Sequence, residues 1–356
     1  MMSSEEAVAL TGSWSIRSTS AIDCATQVTL AEHVSIKGAG FDCSNELVQF
    51  SPRGIAVVEP IIASHHRKLI SPAFTIVVCL WALAVLVLFT LGTEARSEAW
   101  QDLLVSPVLF GLMAVTHHLS RRTAGDFPCP TESRPRVRFQ LFVIVAIILL
   151  TDFGFLASRG IPGWSTLTNI LSQVGKHTPA EALGAVNFGH YALFPGALVL
   201  MLGARLGQIG LGRFAPSSLR MAVAWLSLPV AALGYAAYMV MRMHKSAWFI
   251  LSLFTQNFFQ NGISEEFLWR GLLLTRMRKF IRDDWANLVQ AVMFGAWHFH
   301  YDYKATHGHL AYTISAMVAS QVVFGYAMGW LLLKARNLAI PALFHAAFDT
   351  LGSVYS

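Results

Sequence analysis

The chain predicts an all-α fold: a polytopic transmembrane helix bundle of eight or nine spans behind a polar N-terminal extension. Three observations predict it. Of 356 residues, 54% are hydrophobic and 13% charged, against roughly a quarter charged in an ordinary soluble domain. Mean hydropathy is +0.51. From Pro72 onward, apolar stretches recur at the ~20-residue length that spans a bilayer.

Residues 1–70 are mixed and polar, without an apolar segment near the start that would read as a signal peptide. Four stretches there alternate like strands (Val28–Leu30, His33–Ile36, Leu47–Phe50, Ile55–Val58), separated by Gly38, Gly40, Pro52 and Gly54. A small β-rich appendage and a disordered tail fit them equally. Residues 71–356 form the membrane domain, with expected spans at 72–92, 103–119, 139–157, 185–204, 221–242, 247–275, 286–300, 310–333 and 338–354. The fourth is interrupted by Pro195. The four cysteines have no metal-ligand or disulfide-framework spacing, and Cys79, inside an apolar run, reads as a small core residue.

Loop charge gives an expected orientation. His65, His66, Arg67 and Lys68 precede the first span, and the loop after it is acidic around Glu94, Glu98 and Asp102. Basic clusters then follow at alternate connections: Arg121 to Arg138, Arg205 to Arg220, Arg276 to Arg282, and Lys334 with Arg336. The loops between hold only Arg159 and Lys176, Arg242 and Lys245, and Lys304. The positive-inside rule reads this as nine spans with a cytoplasmic N-terminus, in the inner membrane if the cell is bacterial. The net charge of +6 is then a topology signal, and nucleic acid is not an expected partner.

Chemistry concentrates in three of the helices. Glu265, Glu266 and Arg270 fall within six residues of an apolar run, where ionisable groups are costly and mark function by default. Glu266 and Arg270, at i,i+4, can pair without help from another helix, leaving Glu265 to face a cavity. Phe294 and His298 share that offset, which sets a ring beneath an imidazole, and so do His345 and Asp349. A carboxylate in such a place suits a general base for water, and nearby imidazoles can hold the water or donate to an oxyanion.

Glu-Glu-x-x-x-Arg, Phe-x-x-x-His and His-x-x-x-Asp, each on its own hydrophobic helix and in that order, resemble the CPBP group. These are intramembrane CAAX-processing endopeptidases with bacteriocin-processing and immunity relatives. The resemblance covers about residues 180–356. It implies a glutamate-type endopeptidase in which Glu265 activates water, His298 positions it, and Glu266 with Arg270 supports the site. His345 and Asp349 would stabilise the oxyanion. Family members often carry Asn where this chain has Asp349, so Asp349 either donates as a protonated acid or orients His345. The resemblance implies no cofactor and a membrane-tethered protein or peptide as substrate.

Other readings stand beside this one. Glu265, His298 and His345 are three plausible zinc ligands with an open fourth position. A non-catalytic immunity or scaffold protein of the same family would keep the pocket. A proton-coupled transporter would use membrane ionisables, but the chain lacks broken, repeat-related helices. His-Glu-x-x-His, Gly-x-Ser-x-Gly and Gly-x-Gly-Asp, the motifs of other protease chemistries, are missing from the sequence. His300, Asp302, His307 and His309 read as a solvated loop after the seventh span, and Asp152 as an intramembrane acid with no partner to name.

Overall fold

Proline, glycine and short polar caps punctuate the membrane unit into helices. The computed structural model describes residues 71–120, 127–152, 162–174, 184–214, 216–242, 246 and 248–355, with the backbone of six short strands between Ala7 and Pro60. The chain divides into two compact units, Met1–Lys68 and Leu69–Ser356. In the first, β1 (Ala7–Leu10), β2 (Trp14–Arg17), β6 (Ile55–Pro60) and β5 (Glu46–Phe50) lie side by side in that order. β3 (Thr26–Leu30) pairs with β4 (Val34–Gly38). The β2–β6 pairing is parallel and the others antiparallel.

Among its described residues the second unit is helical, with no strand. Its helices are α1 (Pro72–Thr90), α2 (Thr93–Ser120), α3 (Arg134–Asp152), α4 (Pro162–Val174), α5 (Gly184–Met201) and α6 (Pro216–Arg242). The helix α7 runs without a break from Trp248–Asn257 to Thr275–Met277; α8 (Asp283–Ala305), α9 (Leu310–Ala335) and α10 (Ala339–Tyr355) follow. Ser71 caps α1 by accepting from the Phe74 N–H, with Pro72 at the first helical position. Gly92, at φ +120°, turns the chain into α2. Arg336 ends α9 in the left-handed region, and the Asn337 side chain accepts from Ala339 N–H at the start of α10. In α5 the six residues Phe188–Leu193 are π-wound just before Pro195. That local adjustment lets the helix pass a residue with no N–H to give.

Among the described residues, five helices are long and apolar enough to cross a membrane by length and composition: α1, α2, α5, α6 and α9. Fewer qualify than the eight or nine spans expected, for physical reasons. The helix α3 opens with Arg134, Arg136 and Arg138, α10 has only 17 residues, and α7 and α8 carry the polar side chains of the site. The outer helices expose large apolar residues, among them Leu86, Leu104, Phe142, Val223 and Tyr235. A contiguous apolar exterior around a helical bundle is the surface that lipid covers. The chain is a multi-pass helical membrane protein.

The helix α7 lies at the centre, packed by α3, α5, α8 and α10. Every residue from Ser264 to Arg276 is buried, so this segment is enclosed all round rather than lipid-facing. Its contact with α10 depends on Gly262, where an added Cβ would stand 2.7 Å from the Ala342 carbonyl and 2.9 Å from the Ala346 methyl. Small residues permit such close backbone approach between membrane helices.

Several expectations are corrected. Arg276 and Arg278, counted as loop charges, are buried. Arg276 donates to Glu132 (3.0 Å), Gln140 (3.3 Å) and the Gln208 carbonyl (3.0 Å). Arg278 is paired with Asp283 at 2.8 Å and donates to the Phe127 carbonyl. Of that cluster only Arg282 is exposed; the other guanidinium groups strap residues 127–132 onto the bundle. The helix α2 begins ten residues before the expected 103, and α8 runs to Ala305, so His300 and Asp302 are helical rather than loop residues. His309 caps α9 by accepting from Tyr312 N–H. The helix α4 was not anticipated, and Cys79 is exposed rather than in the core. His65, His66, Arg67, Lys68, Arg121, Arg122, Arg159, Lys176, Lys245 and the Asp152 side chain lie outside the described residues.

Candidate active site

Three helices bring the predicted residues together. The middle of α7 supplies Glu265 and Glu266 on a short α-helical piece, Ile263–Glu266, between two π-wound stretches, Phe258–Gly262 and Phe267–Leu274. The Ser264 hydroxyl donates to the Phe259 carbonyl five residues back, across the first of them. π-Turns are often found at functional sites. The helix α8 supplies Phe294 and His298, and α10 supplies His345 and Asp349.

The Glu265 carboxylate is the meeting point. Its Oε2 lies 3.8 Å from His298 Nε2 and 4.0 Å from His345 Nε2. That oxygen is buried and has no hydrogen-bond partner among the described residues, which is costly unless a bound molecule completes it. A gap of 3.8 Å is too long for a direct hydrogen bond and suits a bridging water.

Each imidazole is oriented by its other nitrogen. His298 Nδ1 donates to the Phe294 carbonyl at 2.9 Å, which leaves Nε2 as an acceptor in the neutral ring. The Phe294 ring packs on His298 at 4.6 Å between centroids, so this i,i+4 pair does set a ring against the imidazole. His345 Nδ1 donates to Glu266 Oε1 at 2.8 Å. Phe324 packs against the same ring at 4.7 Å.

Glu266 does pair with Arg270, 3.0 Å away, and both side chains are fully buried. The guanidinium lies over the Phe294 ring, 4.2 Å from its centroid, and its N–H bonds are not aligned for a hydrogen bond within the described residues. The pair is therefore an ion pair with a cation–π partner. It is not self-contained, because Glu266 also holds His345 across the helix interface. The i,i+4 pairing itself forms within α7, as expected.

Asp349 faces the site but is not the group that orients His345 Nδ1. Its Oδ2 stands 3.6 Å from His345 Nε2 and accepts a 2.7 Å hydrogen bond from the Asn261 amide. Asn261 escaped the motif reading, as did Asn257, whose amide donates to Thr350 at 3.2 Å. Both lie on α7 one and two turns before Glu265, and uncharged amides in an otherwise apolar helix are the signal that could have found them.

Residues 243–351 match the family model described as type II CAAX prenyl endopeptidase Rce1-like. The matched segment is narrower than the 180–356 suggested by the motifs, yet it contains every residue of the site just described. No curated protein and no solved structure matches the chain. Over residues 243–351, then, the chain carries an Rce1-like domain of the CAAX-protease (CPBP) family.

Proposed function

We propose that the protein is an intramembrane endopeptidase that hydrolyses a peptide bond of a membrane-tethered protein or peptide with a water activated by Glu265. The observation that carries this reading is the unpartnered Glu265 oxygen facing two imidazole nitrogens at 3.8 and 4.0 Å. A water in that gap donates one hydrogen to His298 Nε2 and the other to Glu265. As Glu265 takes its proton, the water oxygen bonds to the scissile carbonyl carbon, and the carbonyl π pair moves to oxygen. His345 Nε2–H is placed to stabilise that oxyanion. With Nδ1 already donating to Glu266, a proton on Nε2 makes the ring a cation, balanced by Glu266. Collapse of the tetrahedral intermediate breaks the C–N bond, and Glu265 returns its proton to the leaving amine. No covalent enzyme intermediate is formed.

The substrate class is a lipidated C-terminal tail, a secreted-peptide leader or a C-terminal sorting segment. The loop charges support a cytoplasmic N-terminus, now with fewer free arginines behind them. The polar extension of residues 1–70 then precedes the first span on that side, and the protease core occupies about 180–356. Cleavage of a lipidated fluorogenic peptide by the purified full chain in nanodiscs tests the reading. Absence of cleavage across a broad peptide panel would move the non-catalytic family relative ahead.

Asp349 has a distinct expected signature. Asp349→Asn should keep most of the rate. The Asn carbonyl can still accept from Asn261, and its NH2 supplies a donor toward the oxyanion. Asp349→Ala should lose ~10²–10³ in rate, the usual cost of one oxyanion donor. A severe defect in the Asn variant with normal folding would leave Asp349 as an anion that stabilises the His345 cation.

Zinc is a second reading of the same three residues. The separations of 3.8 and 4.0 Å exceed the edge of roughly 3.4 Å expected for a tetrahedron with zinc–ligand bonds near ~2.05 Å. Activity is therefore expected to survive exhaustive chelation. About one equivalent of zinc, lost together with activity and restored by readdition, would instead support the metal mechanism.

A further inference from the structure

A cavity of about 230 Å³ opens beside the site and is lined on one side by His345, Asp349, Phe324 and Phe348. Its other wall is α2, which lies outside the Rce1-like segment, and brings Glu98, Asp102, Val105 and Leu109 to the same space. Resting on the endopeptidase reading, we propose that this cavity is a specificity subsite for a lysine or arginine side chain of the substrate, with Asp102 as its anionic partner.

Two independent observations support a cation here. The first is the charge of the lining: among the described residues its carboxyls are Glu98, Asp102 and Asp349, its one imidazole is His345, and no Lys or Arg contributes. His345 is already committed through Nδ1 to Glu266. The second is Asp102 itself. It is 6% exposed, and its buried Oδ2 has no hydrogen-bond partner among the described residues. Native proteins rarely leave a buried carboxylate oxygen unpaired, and the deficit is largest when the group is charged. Glu98, by contrast, accepts from the Tyr312 hydroxyl, so Asp102 is the carboxyl left to receive a ligand.

Size and shape narrow the ligand. The cavity is smaller than the ~300–1,000 Å³ typical of small-molecule sites, which leaves room for one long side chain. Val105, Leu109, Phe324 and Phe348 make an apolar sleeve, and the carboxyls stand beside it. A side chain with a hydrocarbon stem and a charged tip matches that division. Asp349 borders both this cavity and the Glu265 centre, so a side chain held by Asp102 places its own backbone beside the catalytic groups.

The test uses the full chain with Glu265→Gln in lipid nanodiscs and a set of lipidated fluorescent peptides. Each peptide carries lysine, Nε-acetyl-lysine, norleucine or glutamate at one of successive positions, and binding is read by fluorescence anisotropy. Lysine is expected to bind at least about tenfold more tightly than acetyl-lysine or norleucine at one position, with glutamate weakest. Asp102→Asn in the same background should bring the lysine-to-norleucine ratio close to one. Because acetyl-lysine tests charge on unaltered Asp102, a poorly folding Asn variant does not remove the test. Equal affinity for lysine and acetyl-lysine at every position overturns the subsite, as does an unchanged ratio in folded Asp102→Asn. Cleavage by protein with Glu265 intact is read separately. Preference without any cleavage counts against the protease, and cleavage without preference counts against the subsite.

Discussion

Glu265→Gln is expected to reduce peptide cleavage by ~10²–10⁴, the range a positioned general base contributes, while the protein still inserts and purifies as a folded bundle. The substitution keeps the shape of the side chain and its ability to accept a hydrogen bond from water. It removes the one function that an amide cannot perform, which is to take the water proton. The neighbouring arrangement should survive, because Glu266 and not Glu265 holds His345 at 2.8 Å and pairs with Arg270 at 3.0 Å. A Gln variant that retains more than a small fraction of the parent turnover would remove Glu265 from the role of base. A Gln variant that fails to fold would instead point to a structural part for the carboxylate.

Arg276→Met is expected to lower stability by about 3–5 kcal/mol, because it leaves the Glu132 carboxylate buried without its cation. Arg276 is fully buried and its Glu132 partner is 4% exposed, so solvent cannot take over the lost contact. Gln140 and the Gln208 carbonyl would also lose a donor. For a unit of this size that loss corresponds to a fall in Tm on the order of 10 °C. Thermal unfolding in detergent measures it. The double substitution Arg276→Met with Glu132→Leu should recover part of the loss, since removing both charges leaves no unpaired ion. A single variant that melts with the parent would show that water reaches Glu132.

The contrast between these two groups explains what could be read from the sequence and what could not. Glu265, His298 and His345 stand out because each interrupts an apolar helix, and a polar group in that setting requires a reason. Arg276 sits at the end of a similar helix, where arginine is ordinary, so nothing local separates a buried strap from a topology signal. Its partner Glu132 is 144 positions away, and that pairing exists only after the helices are packed. Asp102 was hidden differently. The first turns of α2 carry Glu94, Arg96, Glu98 and Asp102, a polarity that reads as loop. Acidic residues are nevertheless favourable near a helix N-terminus. Asn261 was hidden by mildness, since an amide disturbs hydropathy less than a charge does. The bundle and the motif residues were thus legible, whereas the supports came from tertiary contacts that periodicity does not encode.

The two π-wound stretches on either side of Ile263–Glu266 impose a counting frame on α7. A helix of uniform pitch tolerates substitution freely but keeps one fixed phase between any two residues. Here the phase between Asn261, which meets Asp349, and Glu265, which meets the imidazoles, is set by where the wider turns fall. Insertion or deletion of one residue between Asn257 and Leu274 would rotate everything on its far side by ~100°, and would do so without changing a single catalytic side chain. Length in this interval therefore constrains the site as strictly as composition does. Chains that keep all three motifs but differ by one residue there would have the catalytic residues without their common focus.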